Sequence, residues 1–294
     1  MRKITIIGGS GYIGTRLTEE ILNKTKHMQI QVIDRRLSHI FDGVTYVVND
    51  IRKMTKGDLA SLLIDSSDVL LLNGLLARAC QKDNRKVRYD NYIGLVKVAR
   101  SVARDTRIHF FSSQAVYDGT VNSGDGHKLL ENEEARPLSH YSKYKWMFEN
   151  YLRSGENIYI IYRLATCFGW RRNFSSDTLL NQIYKSSDKK GDIIIIERKS
   201  NYILTSLSIT HLAQFVFHIL TIKKENTLFH LVSDTKRICD YLKILGKYHP
   251  IKFTIMAKEN NVNRSIFSSN NYYNSSYDIE EECKIFKETT DVRD

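Results

Sequence analysis

Tyr141 and Lys145 stand four residues apart in a segment, His140 to Leu152, whose pattern predicts a helix. Helical spacing puts both on one face. An ammonium beside a phenol favours the phenolate and draws its pKa down from about 10. A tyrosine tuned in this way can give a proton to, or take one from, a carbinol or carbonyl oxygen. Ser113, at the end of a predicted strand, has the hydroxyl to hold that same oxygen. The pair alone is a weak signal, because the chain has 17 tyrosines and Lys143 and Tyr144 crowd the same stretch. Its weight comes from what precedes it.

Upstream, Gly8-Gly9-Ser10-Gly11-Tyr12-Ile13-Gly14 follows an apolar run and opens a helical pattern. Glycines at these steps allow a tight turn, close approach of the backbone to a pyrophosphate, and close helix-to-strand packing. The helix N-terminus adds oriented N–H groups facing the phosphates. The next apolar run ends in Asp34, placed to accept hydrogen bonds from an adenosine ribose. A carboxylate there repels a 2′-phosphate and favours NAD, whereas Arg35 and Arg36 directly after it could grip that phosphate. NAD is therefore the first expectation and NADP the second. Asp50, ending the third run with Ile51 beside it, falls either next to the adenine or at a turn as a cap. Hydride transfer would belong to the nicotinamide, and proton transfer and orientation to the protein.

These residues need a frame. Apolar runs at Ile4–Ile7, Ile30–Ile33, Val44–Val48, Val69–Leu72, Ile108–Phe111 and Ile158–Tyr162 read as strands. Helical patterns at Tyr12–Asn23, Lys82–Arg104 and His140–Leu152 lie among them. Such alternation predicts an α/β fold, a doubly wound parallel sheet of the Rossmann type with helices on both faces. Ligands then bind beyond the carboxyl ends of the strands. Asp34, Asp50, Asn73, Ser113 and Arg163 fall at or just after those ends and are expected to line one crevice. From about Thr166 the alternation loosens. Helices are predicted at 178–186, 210–222 and 236–248, with strands near 193–196, 228–232 and 251–256. The reading is a nucleotide-binding domain over 1–165 and a smaller C-terminal α/β substrate-binding region over 166–294, with the strand near Phe229 able to return to the main sheet.

Bulk composition narrows the partners. With 42% hydrophobic and 26% charged residues the chain resembles ordinary globular proteins. Its net charge of +11 is spread along the sequence without a dense tract or a nucleic-acid signature, so nucleic acid is not the expected partner. Cys80, Cys167, Cys239 and Cys283 form no C-x-x-C pair, and no signal peptide is evident, which reads as free thiols in a cytoplasmic protein. The uncharged stretch Ile203–Ile222 carries too many Ser, Thr, His and Gln residues to lie in lipid. No membrane span and no metal site are expected.

Taken together, the chain resembles the extended short-chain dehydrogenases/reductases, specifically the NAD-dependent epimerase/dehydratase group, over roughly residues 1–235. The likeness rests on the Gly8–Gly14 loop, on Asn91-Tyr92-Ile93-Gly94, and on Phe111-Ser112-Ser113-Gln114-Ala115-Val116-Tyr117. It rests also on Pro137-Leu138-Ser139-His140-Tyr141-Ser142-Lys143-Tyr144-Lys145 and on Arg163-Leu164-Ala165-Thr166-Cys167-Phe168-Gly169. The resemblance implies Ser113, Tyr141 and Lys145 as the catalytic set. It implies cofactor contacts from Gly8, Gly11, Tyr12, Ile13, Gly14, Asp34, Arg35, Asp50, Ile51, Asn73, Gly74, Asn91, Tyr141 and Lys145. For a nucleoside-diphosphate sugar substrate it implies Ser113, Gln114, Thr166, Arg171 and Arg172. Arg163, Arg171 and Arg172 read equally as phosphate partners or as ordinary paired arginines. A homodimer through the helices containing Lys97 and Tyr144 is a further implication.

Dehydratases of the group place an Asp-Glu pair after the catalytic hydroxyl residue, where this chain has Gln114 and Ala115, so dehydration is not expected. The chain also has Trp170 where the group often has proline, and Leu204 near the place of a common arginine. Reduction of a 4-keto sugar nucleotide is the first expectation and 4-epimerisation the alternative. Two rivals are a binding protein that kept the fold and lost turnover, and an oxidoreductase for a hydrophobic alcohol.

Overall fold

In the computed structural model the described residues are 1–75, 84–120, 128–169, 178–187, 193–197, 202–223, 225–248, 252–256, 265–266 and 278–291. The first apolar run becomes β1 (Arg2–Ile7), and the glycine turn leads from it into α1 (Tyr12–Lys24). β2 (Met28–Asp34) and β3 (Val44–Val48) follow. A short helix, α2 (Lys56–Leu63), opens on a reciprocal cap: Thr55 accepts from the Asp58 amide while the Asp58 carboxylate accepts from the Thr55 amide. Next come β4 (Ser66–Leu71), α3 (Asn84–Arg88), a single widened π-helical turn (Tyr89–Ile93), and α4 (Gly94–Ala99). β5 (Arg107–Ser113) runs into a 3-10 turn at Gln114–Tyr117. Then come β6 (Lys128–Leu129), α5 (His140–Ser154) and β7 (Ile158–Leu164).

The remaining elements are β8 (Thr166–Phe168), α6 (Leu179–Ser187), β9 (Ile193–Glu197), β10 (Ile203–Ser208), α7 (Ile209–Thr221) and β11 (Thr227–Leu231). They are followed by β12 (Asp234–Arg237), α8 (Ile238–Tyr248), β13 (Lys252–Met256), β14 (Ser265–Ile266) and α9 (Ile279–Asp291). Among the described residues no helix is long and apolar enough to cross a membrane.

Two compact units share the chain. The first takes the described residues of Met1–Gly119, Glu134–Arg163 and Ala213–Phe229. It is built on a sheet in the order β11-β7-β5-β4-β1-β2-β3, so that β1 lies between β2 and β4, parallel to both. The chain winds outward from β1 to β3, then restarts at β4 on the other side. This reversal opens a crevice beyond the carboxyl ends of β1 and β4, as in other doubly wound sheets. Ile7, Ile33, Val69, Leu71, Ile108, Phe110 and Ile161 supply the strand side of one core, closed by Leu59, Leu95, Val98, Phe148 and Leu152 from helices. Tyr162, Phe215 and Phe229 form an aromatic cluster with centroids 5.2–6.3 Å apart.

The second unit takes the described residues of Thr120–Glu133, Leu164–Leu212 and His230–Asp294. β10 pairs in parallel with β8 and antiparallel with β12, β13 pairs with β9, and β14 with β6. Phe168, Tyr184, Leu204, Tyr241, Leu242 and Cys283 belong to its core. Glu282, fully buried on α9, accepts from Ser208 Oγ at 2.6 Å and from the Thr210 amide at 2.9 Å at the start of α7.

The main sheet also buries charge. Asp68 on β4 is fully enclosed and accepts from Arg2 Nε, Arg107 Nε and His109 Nε2 at 2.8–2.9 Å. His109 Nδ1 in turn meets the Tyr162 hydroxyl at 2.8 Å. Arg107 also donates to the Leu220 and Ile222 carbonyls at 3.3 and 2.8 Å, where α7 ends. Burial pushes the Asp68 pKa up, but the His109 hydrogen bond and the nearby guanidiniums outweigh it and hold the group ionised. Burial lowers the His109 pKa, so the ring stays neutral, with its Nε2–H toward Asp68. Asp68→Ala is expected to cost about 3–5 kcal/mol, because it strands buried positive charge without a partner. Urea unfolding checks this, and a loss below about 1 kcal/mol would show the network to be dispensable.

Candidate active site

The glycine turn leaves no room for side chains at Gly8 and Gly14. Gly8 has φ +82°, and a methyl carbon there would lie 2.7 Å from the amide nitrogen of Asn73, just past β4. A methyl on Gly14 would lie 2.5 Å from the Gly9 Cα, so α1 reaches the turn only because neither residue has a side chain. Gly11 is the helix N-cap and offers no side chain, which leaves the amides of Tyr12 and Ile13 at the start of α1 without a capping group from it. Asp34 is fixed by this turn: its Oδ2 accepts from the Ser10 amide at 3.0 Å and its Oδ1 from the Arg35 amide at 2.7 Å.

A cavity of about 250 Å³ opens beside these groups. It is lined by Gly8, Gly11, Asp34, Arg35, Asp50, Ile51, Asn73 and Gly74, all expected from sequence, and by Asn49, Arg52, Leu72, Tyr89, Asp90 and Gly94 among others. Asn73 Oδ1 is buried and takes no hydrogen bond there. Asp50 caps its own turn, its Oδ1 accepting from the Arg52 amide at 3.0 Å, and it also lines the cavity. Its two oxygens receive Arg52 Nε at 2.8 and 3.0 Å and Nη2 at 2.6 Å, and this pairing brings its pKa to about 2.

Asn91 sits in the π-helical turn. Its Oδ1 accepts from the Leu75 amide at 2.9 Å and its Nδ2 donates to the Leu75 carbonyl at 3.1 Å, so it holds the chain just past β4. Gly74, at φ +150°, leaves room for that amide, since a methyl there would collide with Asn91 Oδ1. That methyl would also come within 3.9 Å of Lys145 Nζ, which places the lysine at the same end of the sheet.

Lys145 is buried on α5, with Nζ 2.8 Å from the Phe111 carbonyl, 4.8 Å from the centre of the Phe110 ring and 5.9 Å from that of Tyr141. Two residues beyond Phe111, Ser113 ends β5. Its Oγ accepts from the Ala115 amide at 3.1 Å, which leaves its own O–H to donate. Gln114 begins the 3-10 turn, half-buried.

Two groups not singled out from sequence hold α5 in place. Asp118, at the end of the 3-10 turn, accepts from the Leu138 amide, from the Ser139 amide at 3.0 Å and from Ser142 Oγ at 2.8 Å. It thus ties the serine turn to the first turn of α5, where Ser139 is the N-cap. Partial burial raises the Asp118 pKa, but these donors prevail and lower it. Glu149 continues the Tyr141–Lys145 stripe four residues on. Fully buried, it accepts from Ser112 Oγ and from Arg163 Nε and Nη2 at 3.1 and 2.6 Å. Arg163 also donates to the Tyr117 hydroxyl. Arg163 is therefore an internal counterion, 2% exposed, and not a crevice residue. The repeat of four after Lys145 was a usable signal for Glu149; Asp118 had none beyond its place.

Thr166, in the second unit, lies on β8 opposite Ser206 of β10. Arg171 and Arg172, like Trp170, lie outside the described residues. Among the described residues no group of His, Cys, Asp and Glu side chains could hold a metal ion.

The profile of the NAD dependent epimerase/dehydratase family matches residues 4–202. A curated relative, the N-acetyl-alpha-D-glucosaminyl-diphospho-ditrans,octacis-undecaprenol 4-epimerase of Escherichia coli O157:H7, is 30% identical over 211 residues. That match takes in 68% of this chain but 57% of the relative, so the chain spans little more than half the relative's length. Among solved structures, the Bacillus cereus UDP-glucuronic acid 4-epimerase with UDP-glucuronic acid and NAD superposes with a TM-score of 0.83 at 16% identity, over 99% of this chain and 100% of that one. The Thermotoga maritima UDP-glucose 4-epimerase with UDP-glucose gives 0.82 at 15% identity, over 99% of both. The Bacillus anthracis dTDP-glucose 4,6-dehydratase with NAD gives 0.83 at 13% identity, over 99% and 97%. At these identities the structures speak for the shared fold.

Two outcomes follow from the geometry. Asp50 has a folded pKa of about 2 against roughly 3.9 in an unfolded chain. Its pairing therefore stabilises the fold fully above about pH 4, and the stabilisation is lost as pH falls toward 2, on the order of 1 kcal/mol after solvent screening. Asp50→Asn should flatten that part of the acid unfolding curve, and an unchanged acid limb would remove Asp50 from the account. Second, Gly74→Ala should lower Tm more than Gly43→Ala. Gly43 shares a positive φ, of +79°, but has nothing within 4 Å of the added methyl.

Proposed function

Since the chain belongs to the NAD dependent epimerase/dehydratase family, we propose that it is an NAD-dependent enzyme inverting the C4 hydroxyl of a sugar carried on a diphosphate. The observation that carries this reading is Lys145: buried, on the helix face of Tyr141, and joined to the β5 carbonyl two residues before Ser113.

The residues fit the cofactor. The bare backbone of the Gly8–Gly14 turn brings α1 close against β1 and β4 and leaves Gly11, at the start of the helix, open to a pyrophosphate, and Asp34 is held by main-chain amides where ribose hydroxyls can donate to it. Asp34 also disfavours a 2′-phosphate, which supports NAD over NADP. Asp50 and Ile51 serve the adenine end, and Asn73, Gly74 and Asn91 the turn past β4. Bound nicotinamide supplies a reversible hydride acceptor at the sugar carbon. Tyr141 takes the proton from the C4 hydroxyl as that carbon is oxidised and returns it on reduction. Lys145 favours the phenolate while this happens. Ser113 donates its O–H to the same oxygen, holding the developing carbonyl in line. Gln114 and Thr166, together with Arg171 and Arg172, remain the proposed substrate contacts.

Epimerisation is placed ahead of the reduction favoured from sequence because the curated relative carries a 4-epimerase name. The carrier has two readings. UDP-sugars accompany the structural neighbours, and a nucleoside diphosphate is the first. A polyprenyl diphosphate is the second, favoured by the higher identity of the relative, whose name specifies undecaprenol.

A panel of UDP-sugars, undecaprenyl-diphosphate N-acetylglucosamine and 4-keto sugar nucleotides, each with NAD or NADH, tests the proposal. The expected result is sugar interconversion without net cofactor change, reduced by about 10²–10⁴-fold in Tyr141→Phe. Stoichiometric NADH oxidation with a keto sugar would make the protein a reductase. Cofactor binding without turnover on any carrier would overturn the catalytic reading.

A further inference from the structure

The adenine end of the cavity contains a contradiction. Asp50 is the acceptor that an exocyclic amino group would need, yet three N–H groups of Arg52 already crowd its two oxygens. Oδ1 receives the Arg52 amide at 3.0 Å and Nε at 2.8 Å, while Oδ2 receives Nε at 3.0 Å and Nη2 at 2.6 Å. A neutral amine cannot simply displace a guanidinium, because Arg52, with 29% of its side chain exposed, would keep only one long contact to a carboxylate.

A second carboxylate stands within reach. Asp90 Oδ1 lies 3.3 Å from Arg52 Nη1, a long contact, and Asp90 Oδ2 is buried without any hydrogen-bond partner. The residue is 8% exposed and lines the cavity. An unsatisfied buried carboxylate oxygen is costly and calls for an explanation. The Arg52 backbone, by contrast, is pinned: its carbonyl accepts from the Tyr89 hydroxyl at 3.0 Å and from Lys97 Nζ at 3.2 Å. Tyr89 and Asp90 are neighbours in the π-helical turn, so one turn holds the main chain of Arg52 and offers its side chain another seat.

We infer that Arg52 is an exchangeable counterion, seated on Asp50 in the free protein and passed to Asp90 when an adenine amino group claims Asp50. The move is a side-chain pivot on a fixed backbone. It trades one paired carboxylate for another, fills the empty lone pairs of Asp90 Oδ2 with a bidentate guanidinium contact, and leaves the charge of the site unchanged. Asp90 is then a positioning residue for adenine recognition. This rests on the cofactor reading above, though not on turnover.

Calorimetric titration with NAD and with nicotinamide hypoxanthine dinucleotide, which has a carbonyl oxygen in place of the amino group, tests it. The wild type should prefer NAD by roughly tenfold, the scale of one hydrogen bond to a charged group. Asp90→Asn, close in shape, should weaken NAD by roughly tenfold and shrink the preference, because Arg52 stays on Asp50. Adding Arg52→Met to that variant should restore both, and Arg52→Met alone should bind NAD at least as well as the wild type. A purely structural Asp90 would weaken both dinucleotides equally with no rescue, which overturns the inference, as does an Arg52→Met variant that binds NAD more weakly. Should Asp90→Asn fail to fold, the single Arg52→Met titration decides. No NAD binding by the wild type would overturn the cofactor reading as well. The expected binding pattern without turnover would overturn only catalysis.

Discussion

The first unit depends on a contact with no side chains in it. The turn after β1 presses against the chain leaving β4 so closely that Gly8 has the Asn73 amide where a methyl would be. Two parallel strands that diverge in their onward connections must pass each other at this point, and only bare backbone lets them do so. Everything chemical then follows by distance along the chain: Asp34 bonded to the turn from β2, Asn91 bonded to the segment after β4, and Lys145 close beyond it. The cavity results from strand order, and its chemistry from what stands at the strand ends.

Around this backbone constraint, buried charge fixes the angles. Glu149, Arg163, Tyr117 and Ser112 lock the far end of the Tyr141–Lys145 stripe, and Asp118 locks its near end. A helix held at both ends cannot roll, so a phenol and an ammonium four residues apart keep their facing. Asp68 with Arg2, Arg107 and His109 does comparable work among β1, β4 and β5. Replacing such networks by apolar packing often leaves stability unchanged or improves it. Their value here is that each has one geometry.

The parallel sheet and the glycine turn were legible because apolar runs and glycines leave strong marks in a sequence. Asp34, Asp50 and Asn73 were legible as strand-end residues and do line one cavity, whereas Ser113, expected with them, is not among its lining residues. Arg163 followed the same rule and went elsewhere, because a strand-end position says nothing of which face a long side chain takes, and Glu149 was waiting on α5. The segment 82–104 read as one helix; among the described residues it ends at Ala99 and contains a π-helical turn that no propensity reports. α2 was missed for its shortness, and β8 and β12 because strands of three or four residues carry almost no periodicity, while Ser and Thr interrupt the apolar run of β10. The contact of Arg52 with Asp90, 38 residues on in sequence, is a tertiary fact and had no local signal.

β3 closes one end of the main sheet, and among the described residues no strand pairs with its outer edge. Its sequence, Val-Thr-Tyr-Val-Val, has no charge, proline or glycine, and Val48 remains 62% exposed. Such an edge is a template for adding strands from other chains. What restrains it is punctuation: Asp42 and Gly43 before it, Asn49 and Asp50 after it, residues that a cross-β stack tolerates poorly. Asp50 thus has a second occupation apart from any ligand. A change that neutralises it also lengthens the uncharged stretch, so colloidal solubility and cofactor recognition in this protein are set in part by the same carboxylate.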